Sequence, residues 1–168
     1  MMKSDSLKIR NTFIKIRNII SDLYHYNGVT SGKQLVHMFK ELVSKNEWDY
    51  LKGIPDSHQI KDSLKQLKKA FDFVIANNGN GTEKEPYEHW VLIMKSKNGK
   101  IYYFDSFNRS LKDINYGWSI YNGVLRTNNH LVLEKVSGSD CGEICVAVAV
   151  TCIYLKCDIS EFLNAFKI

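Results

Sequence analysis

No apolar stretch of this chain reaches the roughly 18 residues that a membrane-spanning helix needs, and the opening MMKSDSLKIR lacks the apolar core of a signal peptide. Cysteine is missing until position 141. Its four copies, Cys141, Cys145, Cys152 and Cys157, then fall within one short stretch, whereas a secreted framework spreads its cysteines to close long loops. Reduced thiols in a soluble, unsecreted protein that does not bind membranes are therefore expected. No repeat, low-complexity tract or long linker interrupts the 168 residues, and 44% apolar with 24% charged is a globular balance. One domain over residues 1–168 follows, with a helical region at 1–70 and a sheet-and-helix region at 71–168. Charge is uneven between these parts. Residues 1–70 hold 13 Lys and Arg against 7 Asp and Glu, and the remainder holds 10 against 11, so the net charge of +5 is N-terminal.

Three helices are legible in the basic part. Leu7, Ile9, Phe13, Ile16, Ile20, Leu23 and Tyr24 recur at near-helical spacing over residues 6–26, with Gly28 as a stop. Ser31 and Gln34 form a capping box ahead of Leu35, Met38, Phe39, Leu42 and Val43, which carries a second helix to about Lys45. Asp56 and Gln59 repeat that spacing ahead of Ile60, Leu64 and Leu67, with Lys61, Lys65, Lys68 and Lys69 on the opposite stripe. From Phe71 the period shortens. FDFVIA, HWVLIM, KIYYFDSF and HLVLEKV read as strands, and SKNGK between the second and third signals a hairpin. Residues 109–130 are weakly patterned, with Tyr116, Trp118 and Tyr121 among polar residues. Cys141 to Lys156 is nearly all apolar and too long for a strand, so it reads as a buried helix capped by Asp140 and Glu143. Asp158 and Glu161 cap a last helix to Phe166. The fold class is α+β: a central mixed or antiparallel sheet, a buried helix beginning at Cys141, and an N-terminal helical region.

Loop length in the hairpin decides which side chains share a face. A two-residue turn, Asn98-Gly99, would oppose Asp105 to Leu92 and point it away from His89. A three-residue loop with Gly99 in the left-handed region opposes Asp105 to Val91 and His89 to Phe107. His89 and Asp105 are then diagonal neighbours within reach of each other. Cys141, if Asp140 caps its helix, is the first helical residue, where unpaired N–H groups and the helix dipole favour thiolate over thiol. Gly142 lets another backbone approach that sulfur. An imidazole beside the thiolate and a carboxylate to orient the imidazole complete an activated nucleophile.

Taken singly, each of these residues has an ordinary reading: Cys141 as a small core hydrophobe, His89 as a strand end, Asp105 as a turn residue. Cys145, Cys152 and Cys157 keep that reading, as helix packing. His25, His37, His58 and His130 lack comparable company and are assigned to surface or packing. A zinc site on Cys141 and Cys145 would need a second ligand pair that the neighbouring sequence does not supply. No metal or other cofactor is implied.

His89-Trp90 opening a strand, Asp105-Ser106 ending the next, and Gly138-Ser139-Asp140-Cys141-Gly142 opening a helix resemble the SUMO-protease and adenovirus-protease superfamily of cysteine peptidases. The resemblance covers roughly residues 71–156, and the short chain suits the viral maturation branch. It implies Cys141 as nucleophile, His89 as general base and then acid, Asp105 as the orienter of His89, and Trp90 and Gly142 beside the substrate. Such enzymes carry a glutamine six or seven residues before the nucleophile, where this chain has Lys135 and Glu134; its only glutamines are Gln34, Gln59 and Gln66. The oxyanion donors implied here are the Cys141 N–H and Lys135. The activity the resemblance implies is an endopeptidase cleaving after small residues, glycine among them, in capsid or other virion precursor proteins. It would work in the host cytoplasm, a virus factory or the virion interior. A protease for ubiquitin-like modifiers is the alternative, followed by an acyltransferase on a related scaffold and an inactive binding module. The lysine-rich N-terminal region reads either as a solvated face or as a surface for DNA.

Overall fold

The structure, a computed structural model, describes residues 3–24, 30–79, 83–84, 89–106, 124–126 and 141–166. Helix α1 (Lys3–Leu23) buries Ile9, Phe13, Ile16 and Ile20 as one stripe. Leu7 and Leu23, expected in that stripe, are instead 52% and 63% exposed. At 100° per residue Leu7 falls on the opposite face, and Leu23 is the last helical residue. Helix α2 (Gly32–Leu42) starts at the expected box: Gln34 N–H donates to Ser31 Oγ at 3.2 Å and Ser31 N–H donates to Gln34 Oε1 at 2.7 Å. It ends at Leu42, short of Lys45, because Ser44 opens a separate 3₁₀ turn, Lys45–Tyr50, with its N–H on Glu47 Oε1.

The third helix is shorter than the sequence predicts. Helix α3 is a single turn, Ile60–Leu64. Asp56 N–H does donate to Gln59 Oε1 at 3.2 Å, but the Asp56 carboxylate accepts from His58 N–H at 2.8 Å instead of capping, and Gln59 becomes the N-cap. Leu67 is buried all the same, while Lys68 and Lys69 lie past the helix and give their backbone N–H groups to Asp72 Oδ2.

The sheet runs β1 (Leu51–Gly53), β2 (Phe73–Asn77), β3 (Trp90–Lys95), β4 (Ile101–Phe104) and β5 (Val124–Arg126) in that spatial order. The outer pairs are parallel and the inner two antiparallel, so the sheet is mixed within an α+β fold. Strands β1 and β5 have three residues each, too few to print an alternation, and sequence analysis missed both. The β3–β4 hairpin has the three-residue loop. Gly99 is left-handed at φ +84°, Ser96 N–H donates to Lys100 O at 2.8 Å, and Leu92 faces Phe104.

The two sheet faces bury different partners. Phe73, Ile75, Trp90, Leu92, Met94 and Phe104 belong to the main core with helix α4 (Cys141–Leu155), whereas Val74, Ala76, Val91, Ile93 and Tyr103 pack with Ile60 and Leu67. Helix α4 lies between the sheet and helices α1 and α2, so every residue from Ile144 to Ile153 is buried and no polar stripe survives. It stops where Lys156 turns left-handed at φ +53° and Cys157 N–H bonds Cys152 O at 3.1 Å, a Schellman closure. Helix α5 (Ile159–Ala165) carries the predicted Asp158/Glu161 box and sets Phe162 edge-on to Phe13. Among the described residues, no helix is long and apolar enough to cross a membrane. The expected strand HLVLEKV, Gly28, Asp140 and most of residues 109–130 lie outside the described residues.

Candidate active site

Three chain segments converge where β3 begins and β4 ends. His89 stands one residue ahead of β3, and Asn78 fixes it there: His89 N–H donates to Asn78 Oδ1 and Asn78 N–H to His89 O, both at 3.1 Å. Asp105 follows β4 directly. As the three-residue loop requires, the two side chains meet, with His89 Nε2 hydrogen-bonded to Asp105 Oδ1, and both residues are buried. Because the carboxylate occupies Nε2, Nδ1 is the nitrogen through which any proton exchange with a thiol must run.

Helix α4 begins at the same end of the sheet. Cys141 is its first residue and is buried. Gly142 is pressed between two side chains: a Cβ there would lie 3.1 Å from Trp90 Cδ1 and 2.8 Å from Leu35 Cδ2, so only glycine lets the helix start approach this closely. Trp90, adjacent to His89 in sequence, is thus also in contact with the residue after Cys141. Its indole is held on the far side, where Nε1–H donates to Thr30 O at 2.8 Å, and Thr30 Oγ1 in turn donates to Glu143 Oε1 on α4. The Cys145 thiol donates to Trp90 O at 3.7 Å. Trp90 therefore ties β3, α4 and the segment before α2 into one rigid corner.

Beside Trp90 runs a groove of about 990 Å³ between α2 and the chain that follows β1, with Lys33, Val36, Ile54, Pro55 and Asn77 among its walls. Of the residues that sequence reasoning singled out, the structure pairs His89 with Asp105 and sets Trp90 against Gly142, the residue after Cys141. Sequence reasoning missed Thr30, Asn77 and Asn78. The Asn77-Asn78 pair at the end of FDFVIA was visible only as a loop signal, and Thr30 carried no signal at all. Lys135, with Gly138, Ser139 and Asp140, lies outside the described residues, as do His25 and His130. His37 and His58 are exposed, the former paired with Glu41.

At the other end of α4, Cys152 and Cys157 are buried together. The Cys157 side chain, hydrogen-bonded to Cys152, and the burial of both push the Cys152 thiol well above its ordinary range. Among the described residues, no group of three or more His, Cys, Asp or Glu is placed to hold a metal ion. Comparison with known protein families, curated proteins and solved structures returned no match.

Proposed function

We propose that this chain is a cysteine endopeptidase of the SUMO-protease and adenovirus-protease type, in which Cys141 is the nucleophile, His89 the general base and acid, and Asp105 the orienter. The observation that carries the reading is the buried His89–Asp105 pair at the sheet end where Trp90 abuts Gly142. An imidazole buried against a carboxylate, beside a helix that opens with a cysteine, is an arrangement for nucleophilic chemistry rather than for core packing.

In the proposed reaction the Cys141 thiolate attacks the scissile carbonyl carbon, and the new oxyanion is met by the Cys141 N–H at the first position of α4. The C–N bond breaks as His89 gives its Nδ1 proton to the leaving nitrogen. Water, deprotonated by His89, then attacks the thioester and expels the thiolate. Lys135 is the proposed second donor to the oxyanion. The substrates proposed are virion precursor proteins cut after small residues. Incubating the purified protein and its Cys141→Ala form with capsid precursors, then mapping new termini, tests the reading. New termini after small residues that appear only with the wild-type chain are expected; identical products from both forms would overturn it. An aspartate as the third member also favours a protease for ubiquitin-like modifiers, and covalent trapping of Cys141 by a ubiquitin-family C-terminal probe would select that reading. DNA is a proposed partner through the exposed Lys61, Lys65, Lys68 and Lys69. Binding to duplex DNA that falls steeply with salt is the expected signature.

A further inference from the structure

The groove beside Trp90 has chemistry of its own. Helix α2 turns Lys33, Val36, His37 and Lys40 toward it, a spacing of three, four and seven that defines one helix face. The facing wall is Ile54, Pro55 and Asp56, and the Asp56 carboxylate already accepts from His58 N–H at 2.8 Å. Lys40 lies 5.1 Å over the Trp48 ring, His37 pairs with Glu41, and Lys33 is exposed. Two ammonium groups therefore flank an apolar floor against one carboxylate.

That floor holds an unmet donor. Asn77 is fully buried, its Oδ1 accepts from Gly79 N–H at 2.9 Å, and its Nδ2 has no partner. A buried amide donor without a partner carries a desolvation cost, which an occupant's carbonyl oxygen would relieve on reaching it. Asn77 is the cross-strand partner of Trp90, and Trp90 adjoins both His89 and Gly142, so the groove leads to the corner where α4 begins.

We propose that this groove binds an extended acidic peptide, the part of the substrate on the acyl side of the scissile bond; this rests on the cysteine-peptidase reading above. Backbone carbonyls of an extended chain supply the acceptor that Asn77 lacks, apolar stems cover Val36, Ile54 and Pro55, and carboxylates face Lys33 and Lys40. The volume is at the upper end of ordinary ligand sites and accommodates several residues.

Two arms separate the groove from the nucleophile. In the first, the Cys141→Ala chain is titrated with acetyl-Glu-Ala-Glu-Gly-amide and acetyl-Lys-Ala-Lys-Gly-amide. The acidic peptide should bind about fivefold more tightly, as two partly screened charge pairs allow. Adding Lys33→Glu and Lys40→Glu, both on the surface, should reverse that order, while Lys33→Gln with Lys40→Gln should abolish it. Equal affinities, or a preference indifferent to these changes, would overturn the proposal. In the second arm, chloromethyl ketones of the same two sequences are applied to the wild-type chain. Faster labelling of Cys141 by the acidic reagent supports both claims. Binding with the expected preference but no labelling keeps the groove and removes Cys141 as nucleophile; labelling without discrimination removes the groove and keeps Cys141.

Discussion

Helix α4 carries cysteine near both ends, and the two ends are chemically opposite. Cys141 and Cys152 are equally buried members of one apolar helix. At the first end Cys141 opens the helix one residue ahead of Gly142, which abuts Trp90, the chain neighbour of the His89 that is bonded to Asp105. At the second, Cys152 is followed by a Schellman closure that brings Cys157 against it, and the hydrogen bond with Cys157 together with burial raises the Cys152 thiol well above its ordinary range. Under the proposed reading, helix polarity and the partner at each end, rather than burial, separate the two cysteines. The β3–β4 hairpin spans the same two ends. Its open end presents His89 and Asp105, while its loop end docks on α5 through Lys97 N–H on Asp158 Oδ1 at 2.8 Å.

The largest effect should come from the first end. Cys141→Ala and His89→Ala should each lower turnover by about 10⁴ or more, with the double variant little worse, because members of one catalytic unit are not additive. Asp105→Asn should do less harm. Cys152→Ala and Cys157→Ala should lower the melting temperature but leave turnover near normal; if either abolished turnover as Cys141→Ala does, the contrast between the two ends would fail.

Gly142→Ala sharpens the comparison by a smaller step. The added methyl meets the buried Leu35 and Trp90, so unfolding measurements should show a loss of about 1–3 kcal/mol, as over-packing of a tight site typically costs. Turnover should fall with it, since Trp90 and the start of α4 are displaced together. Unchanged stability and turnover would mean that this corner is not tightly set.

The smallest effect belongs to the far end. Lys97 Nζ lies 2.8 Å from Glu161 Oε1, partly exposed, and its loss through Lys97→Ala should cost only about 0.2–1 kcal/mol. Burial raises the Glu161 pKa, but the hydrogen bonds from Lys97 and the Asp158 N–H outweigh it and hold the carboxyl below its ordinary range. The bond to Glu161 holds Lys97 above its own. The pair's contribution is thus full between the ordinary glutamate and lysine values. It fades as pH falls through the lowered Glu161 value and as pH rises through the raised Lys97 value. Denaturation midpoints of wild type and Lys97→Ala should converge at both extremes and differ most near neutrality.

What could be read from sequence follows the same division. The hairpin was legible in SKNGK, but a two-residue and a three-residue loop both fitted that sequence; left-handed Gly99 and the Leu92–Phe104 pairing show the three-residue loop, from which the meeting of His89 and Asp105 follows by counting. Helix starts were legible wherever a side chain caps its own helix, at Ser31 and Asp158. Asp56 has the same spacing and failed, because its carboxylate found His58 N–H first. Strands β1 and β5 owe their existence to neighbours rather than to any pattern of their own. Thr30 was illegible for a similar reason. Its contacts with Trp90 and Glu143 join residues far apart in the chain, and no local periodicity records such bonds.

The most direct test of the account is the rate at which each cysteine of the folded protein is alkylated by iodoacetamide as a function of pH, read site by site by mass spectrometry. Cys141 should react well below the pH at which an ordinary thiol of pKa about 8.5 does, with Cys145, Cys152 and Cys157 far behind, and His89→Ala should move the Cys141 profile upward. Equal rates at all four positions, or a Cys141 profile that His89→Ala leaves in place, would contradict it.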